Sequence, residues 1–267
     1  MKIANYQKFR PVDFHNHVRG KNGKLDRENA ISVKEAAETI GIDKVCVSFP
    51  LLSDSPTPDE FRACNDVVFE AMKFSKCFLG FCFVNPGYAR ESLAEMERCI
   101  VRGEMIGVKL YHQYFICDPA LHPVMEYAAK LGIPVMMHAG KATDPVTLKR
   151  QPRLSNAGHF LKAVKMFPQT ILVQGHIGGG GDWEWNLRTL EAFARSAKFY
   201  IDTSGTVIDA GMIQRTVATL GEDRVLFATD WSFEEGIGKI LDAGLSEKQL
   251  QKIFSGNFNR ILSERRA

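Results

Sequence analysis

The sequence has no run of 18 apolar residues, so nothing in it reads as a bilayer-spanning helix. No G-x-G-x-x-G follows its first apolar segment, which weighs against a dinucleotide-binding doubly wound sheet. Only six cysteines occur, Cys46, Cys64, Cys77, Cys82, Cys99 and Cys117, and none forms a C-x-x-C pair. That spacing gives no support to a thiolate zinc site, and the thiols are expected to be reduced and mostly buried. An excess of one charge is also missing. The net charge of +3 argues against nucleic acid or a membrane surface as the main partner. The opening MKIANYQKFRP lacks the apolar centre of a signal peptide, so a cytoplasmic location is expected.

What is present is ordinary for a globular protein: 45% hydrophobic and 24% charged residues in a chain of 267. That length suits one large barrel or two small domains. Eight short apolar, β-rich runs recur, beginning at Val12, Lys44, Phe78, Ile106, Ile133, Thr170, Lys198 and Arg224. Between most of them lie stretches with apolar residues three and four apart, which predicts helices. These are Ser32 to Ile40, Asp59 to Phe74, Glu91 to Val101, Ala120 to Leu131, Ser155 to Phe167, Trp185 to Ala197 and Ala210 to Leu220. Ser32 and Glu35 suggest a capping box for the first. Strand and helix alternating at roughly 30 residues per unit imply parallel pairing through helical crossovers. Eight such units predict a (β/α)8 TIM barrel, with two or three short extra helices after Glu234. No domain boundary is visible, so residues 1–267 are expected to form a single domain.

The first strand reads VDFHNH. Alternation along a strand would set Asp13, His15 and His17 on one face. Other polar residues also fall at the downstream ends of the apolar runs: Lys109 on the fourth, His138 on the fifth, His176 on the sixth, Asp230 on the eighth. In a parallel barrel those ends open on the face where active sites are built. Each residue alone has a plainer reading. His138 or His176 would be a hydrogen-bonded loop residue, Asp230 a helix N-cap, and Lys109 a snorkelling surface residue. Together, four imidazoles and a carboxylate form the ligand chemistry of a catalytic zinc with a position left for water. Asp13 would orient an imidazole or simply begin the strand. His122 and His159 lie in helical stretches and read as surface residues. His112 and Trp231 are candidate substrate contacts, and Trp183 and Trp185 either wall a pocket or pack the loops. The glycine run Gly178 to Gly181 reads as a tight connection rather than a phosphate cradle, since the P-loop lysine pattern is absent.

Taken in order, these segments resemble the amidohydrolase superfamily. The likeness is to the branch that holds amidohydrolase-2 type hydrolases and the aminocarboxymuconate-semialdehyde and resorcylate decarboxylases. DFHNH is similar to the D-x-H-x-H of the first strand, FCFVNPG to the third-strand signature, and GVKLYHQYF through MMHAG to two consecutive units. GHIGGG, ATDW and GNFNRIL resemble the sixth strand end, the eighth strand end and the terminal helix. The resemblance implies that His15, His17, His138 and Asp230 hold one divalent metal, zinc, with His176 as acid or base. A second metal would follow if Lys109 were carbamylated. Otherwise Lys109 would bind an anionic substrate.

The reaction expected first is hydrolysis of a small, carboxylate-bearing amide, lactone or ester. Metal binding would lower the pKa of a water towards about 7. Asp230 would take its proton, and His176 would serve the developing oxyanion or leaving group. The alternative is non-oxidative decarboxylation of an aromatic or muconate-type acid at the same site. Two further rivals are a TatD-type metal-dependent nuclease, disfavoured by Lys109 where an acid is typical, and a barrel that binds a small molecule without turnover. The partner expected is a small-molecule substrate, with homo-oligomerisation on general grounds.

Overall fold

The computed structural model describes residues 5–177, 182–192, 198–205 and 209–266. Its frame is a single sheet of eight strands: β1 (Val12–His17), β2 (Lys44–Ser48), β3 (Phe78–Phe83), β4 (Gly107–Leu110), β5 (Pro134–Met137), β6 (Ile171–Gln174), β7 (Phe199–Asp202) and β8 (Val225–Leu226). Each pairs in parallel with the next. The ring closes between its first and last strands. Phe14 N–H donates to the Phe227 carbonyl at 2.9 Å, and Asp230 N–H to the His15 carbonyl at 2.8 Å. The expected (β/α)8 barrel is therefore the fold, with all eight predicted strands in place.

The barrel is filled, not open. Val12, Phe14, Cys46, Phe81, Met136 and Tyr200 pack in its lower layers, and Phe258 and Ile261 close the floor. Phe14 meets Phe81 edge to face at 5.3 Å, a favoured aromatic geometry. Outside the strands, a larger apolar cluster joins sheet to helices. A full lower barrel leaves only the upper rim, at the strands' C-terminal ends, for polar side chains.

The helices start where local chemistry caps them. The first, α1 (Arg27–Ile40), begins five residues earlier than Ser32 suggests. Its cap is Asp26, whose carboxylate accepts from Asn29 N–H at 3.2 Å. Ser32 lies inside the helix, because the polar residues before it form its solvent face. In α2 (Pro58–Phe74) Thr57 and Glu60 make a reciprocal capping box, and proline occupies the first turn. The predicted Glu91–Val101 helix is α3 (Ala89–Met96) followed by a wider turn over Glu97–Val101. Helix α4 (His122–Leu131) stops at Gly132, whose φ of 67° is the left-handed cap anticipated from LGIP. A short α5 (Pro145–Arg150) was not anticipated, and α6 (Ala157–Met166), α7 (Trp183–Glu191) and α8 (Met212–Leu220) follow. Three helices, α9 (Phe233–Asp242), α10 (Glu247–Gln251) and α11 (Asn257–Ser263), end the chain. The cysteines are free; Cys77 and Cys117 are half-buried and the other four buried. Among the described residues no helix is long and apolar enough to cross a membrane.

The expected shared face of Asp13, His15 and His17 is corrected. The β1–β2 ladder shifts register between Asp13 and Asn16. Such a bulge re-aims side chains. Phe14 therefore faces the lower core while His15 faces the rim, and Asp13 turns to the β1–β8 seam. There its carboxylate accepts from Thr229 Oγ1 at 2.6 Å, Thr229 N–H at 2.9 Å and Asn16 Nδ2 at 2.8 Å. Asp13 also accepts from the backbone N–H of His15 at 3.2 Å. It orients that residue through the backbone and not through the imidazole.

Candidate active site

Five strand ends converge at the rim. His15 and His17 come from β1, and Lys109 from β4. His138 follows β5 directly. His176 lies two residues past β6, and Asp230 four past β8. The ligand-capable atoms of His15, His17 and Asp230 lie within 4.8 Å of one another. His17 Nε2 is 3.3 Å from Asp230 Oδ1, and Asp230 Oδ2 is 3.8 Å from His176 Nδ1. Asp230 caps no helix, because α9 begins beyond it after Ser232.

His138 stands one step away from this trio. Its Nδ1 is 2.8 Å from His176 Nε2, and its Nε2 is 3.1 Å from the Gln151 amide. Tyr111 stacks on the His138 ring at 4.3 Å. The two imidazoles expected in different roles are thus in direct contact. Lys109 is fully buried, which rules out the snorkelling reading. Its Nζ lies 2.7 Å from His15 Nε2. Trp231 is placed at the rim, its ring 6.2 Å from His17 with the Arg19 guanidinium 4.9 Å above it. His112 is buried against Tyr111, one ring removed from His138. Neither of its ring nitrogens has a hydrogen-bond partner among the described residues. Trp183 donates to Asp209 at 2.6 Å and Trp185 lies under Lys141, so both pack loops. His122 is exposed, and His159 is half-buried, capping α6. The glycine run 178–181 lies outside the described residues.

Two residues of the cluster went unseen in the sequence: Asp202, the last residue of β7, and Ser204. Asp202 Oδ2 accepts from His15 Nδ1–H at 2.8 Å. Its Oδ1 accepts from His176 N–H at 2.9 Å, Ser204 N–H at 3.0 Å and Ser204 Oγ–H at 2.6 Å. The signal was available. Asp202 alternates with inward-facing Tyr200, and it ends a strand as the other candidates do. Gly205 follows at φ 100°; a Cβ there would stand 3.3 Å from His176 Cβ, in a conformation a side chain would strain.

The donor chemistry fits a cation. Because a carboxylate only accepts, His15 carries its proton on Nδ1, and its Nε2 lone pair accepts from Lys109 Nζ, a contact that a cation on Nε2 would displace. His17 Nδ1 lies 3.1 Å from the Ser48 hydroxyl and 3.3 Å from the Ser48 carbonyl, and a proton on Nδ1 satisfies the carbonyl, which only accepts. His17 Nε2 then points a lone pair at the Asp230 carboxylate, acceptor against acceptor, an arrangement a divalent ion between them would resolve. Both protonated nitrogens have the outer partners typical of metal-binding imidazoles. Of the six described non-glycine residues with positive φ, three stand here: His176, Asp230 and Trp231, at 70°, 46° and 76°.

Electrostatics keep the imidazoles neutral. Burial lowers the His15, His138 and His176 pKa values; a further cause is the neighbouring imidazole His176 for His138, His15 for His176, and the Lys109 ammonium for His15. His176 falls to about 4. Burial works to raise Asp202, but its neighbours His15 and His176 and the hydrogen bonds from His15 Nδ1–H and Ser204 outweigh it and hold it well below the usual carboxylate range. Burial also brings Lys109 down to about 8, which leaves it largely charged at neutral pH.

Comparison with known proteins gives the same direction. A family model described as amidohydrolase matches residues 56–262. The gamma-resorcylate decarboxylase of Polaromonas sp. strain JS666 is 24% identical over 299 residues, covering 88% of this chain and 86% of that protein. Among solved structures, a dihydroxybenzoic acid decarboxylase from Polaromonas sp. JS666, with bound manganese and the inhibitor 2-nitroresorcinol, aligns with a TM-score of 0.74 at 17% identity. That alignment covers 96% of this chain and 98% of that one. The 5-carboxyvanillate decarboxylase of Sphingomonas paucimobilis aligns with a TM-score of 0.74 at 16% identity, over 96% and 99%. With the family model spanning most of the barrel and the histidine–aspartate cluster standing on its rim, the chain belongs to the amidohydrolase family and is an enzyme of that superfamily.

Proposed function

We propose that the enzyme removes carbon dioxide, without net oxidation, from a small hydroxylated aromatic carboxylic acid, using one divalent cation. The observation that carries this reading is the match to a gamma-resorcylate decarboxylase over nearly the whole of both chains. It favours decarboxylation over the hydrolysis expected first. The rim supports it too: Trp231 and Tyr111 offer aromatic faces, and Lys109 and Arg19 offer positive charge for an anion.

His15, His17 and Asp230 would hold the cation, and His138 would join them once released from its contact with His176. Zinc and manganese both suit imidazole and carboxylate donors. When bound, the cation supplies a Lewis acid that polarises substrate oxygens. His176, neutral at pH 7, takes the proton of the substrate's ring hydroxyl at Nε2 and returns it to the ring carbon that bore the carboxylate. The bond from ring to carboxylate breaks, its electrons pass into the ring, and carbon dioxide leaves. The product departs as a phenolate and takes a proton from solvent. Lys109 holds the phenolate oxygen by charge in a site where burial strengthens the attraction. His112 packs against Tyr111.

The test is direct. Protein reconstituted with manganese or with zinc is offered hydroxylated benzoates, lactones and amides. The reading requires release of carbon dioxide from a benzoate that stops when His15 is changed to Ala. Turnover of lactones or amides alone would overturn it and restore hydrolysis.

A further inference from the structure

We propose that Ser204 is a positioning residue that fixes His176 with its proton on Nδ1 and its lone pair on Nε2, the atom that accepts from His138 in this structure and is free for the substrate once His138 turns to the cation; this rests on the reading of His176 as the proton carrier. Ser204 Oγ has a single hydrogen and three close neighbours: Asp202 Oδ1 at 2.6 Å, His176 Nδ1 at 3.0 Å and His15 Nδ1 at 3.3 Å. Asp202 Oδ1 already receives two backbone N–H groups, so it is an acceptor, and the shortest contact takes the hydroxyl hydrogen. The Ser204 oxygen is left with lone pairs only. His176 Nδ1 facing it must therefore be the donor. His15 Nδ1–H is committed to the other oxygen of the same carboxylate at 2.8 Å.

The hydroxyl has nowhere else to turn. Ser204 is fully buried. The loop carrying it is pinned from outside the barrel, because Lys239 on α9 donates to the Gly205 carbonyl at 2.6 Å and pairs with Glu235 at 2.9 Å. At the opposite ring atom, His176 Nε2 meets His138 Nδ1 at 2.8 Å, which is satisfied when His138 Nδ1–H donates into that lone pair. Gln151 then turns its amide NH2 towards His138 Nε2. Every hydrogen in the chain from Asp202 to Gln151 is accounted for by this one assignment. A neutral imidazole free in water prefers the other tautomer, with the proton on Nε2. Without the Ser204 oxygen, His176 would drift towards that form and lose the accepting lone pair on Nε2.

The experiment labels histidine with nitrogen-15 and reads the His176 ring nitrogens by NMR in metal-free protein at pH 7.5, with assignment from His176→Gln. The expected spectrum has a protonated Nδ1 and a bare Nε2. Ser204→Ala shifts His176 towards a protonated Nε2, and Ser204→Thr, which keeps the hydroxyl, does not. A protonated Nε2 in the unaltered protein, or an unchanged tautomer in Ser204→Ala, overturns the proposal. Should Ser204→Ala fail to fold, Ser204→Cys, nearly isosteric with a weak hydrogen-bonding thiol, replaces it under the same criteria. In turnover, Ser204→Ala should lower kcat by about 10- to 100-fold with KM within about twofold, and Ser204→Thr should recover most of it. If the unaltered enzyme decarboxylates no aromatic acid, the proposed reaction fails, while the NMR result still decides what Ser204 does.

Discussion

Asp202 Oδ2 and His15 Nδ1 lie 2.8 Å apart, both fully buried, and join the seventh strand of the barrel to the first. The bond fixes which nitrogen of His15 is bare and where it points. Asp202→Asn keeps the shape but puts a neutral amide in place of the charged acceptor. Metal affinity should fall by about 10- to 100-fold, as for other outer partners of ligating imidazoles, read by titrating chelator-treated protein with zinc. Unchanged affinity would separate Asp202 from the metal site.

The buried neutral histidines make metal-free protein sensitive to acid. For His176 the pKa drops from 6.5 in the unfolded chain to about 4 when folded. Between those values the unfolded state binds more protons, so its contribution is complete above 6.5 and is lost as pH falls towards 4. The loss from this one group is on the order of 3 kcal/mol. Urea midpoints should therefore fall steeply between pH 6.5 and pH 4, and His176→Asn should flatten the slope.

Lys109 distinguishes one metal from two. If its amine stays free and holds an anion, Lys109→Met should raise KM by at least about tenfold while the protein still binds a single equivalent of metal. If the amine is carbamylated, unaltered protein should bind two equivalents, and the second should depend on bicarbonate. Metal analysis with and without bicarbonate decides between them.

Trp231 is held at a strained φ of 76° between His17 and Arg19. Trp231→Leu should raise KM for aromatic acids by about 2- to 12-fold, the worth of one aromatic contact, with little change in kcat. The Trp231 fluorescence should be quenched by the same acids in unaltered protein, and that quenching should vanish in the variant.

The seam beneath the site carries its own cost. Asp13→Ala strands the Thr229 and Asn16 donors in a dry interior and should destabilise the fold by about 2–3 kcal/mol, measured by urea denaturation. Phe14→Ala, which empties the lower core, should cost about 3–5 kcal/mol.

Much of this architecture was legible in the sequence because it rests on local periodicity. The eight strands were visible as apolar runs, and His15, His17, His138, His176 and Asp230 were visible as polar endings to those runs. What stayed hidden depends on atoms brought together from afar. The bulge that splits Asp13 from His15 is set by hydrogen bonds to Thr229, more than 200 residues downstream, and no alternation rule anticipates it. Asp202 ended a predicted strand, but its value lies in His15, Ser204 and His176, which only the closed ring assembles around it. The start of α1 was misread because Ser32 and Glu35 satisfy the capping pattern as well as Asp26 and Asn29 do, and only the folded backbone chooses.

The Asp230 N–H to His15 carbonyl bond, which helps close the ring, runs between two residues of the candidate ligand set. The last strand to be synthesised therefore completes both the cylinder and the cation cradle in one act. A chain still lacking its eighth strand can bury much of its core yet offers no home for the ion. A bound cation, in turn, acts as a clasp across the latest-formed join, so metal supply should govern how long the finished enzyme resists unzipping from its ends.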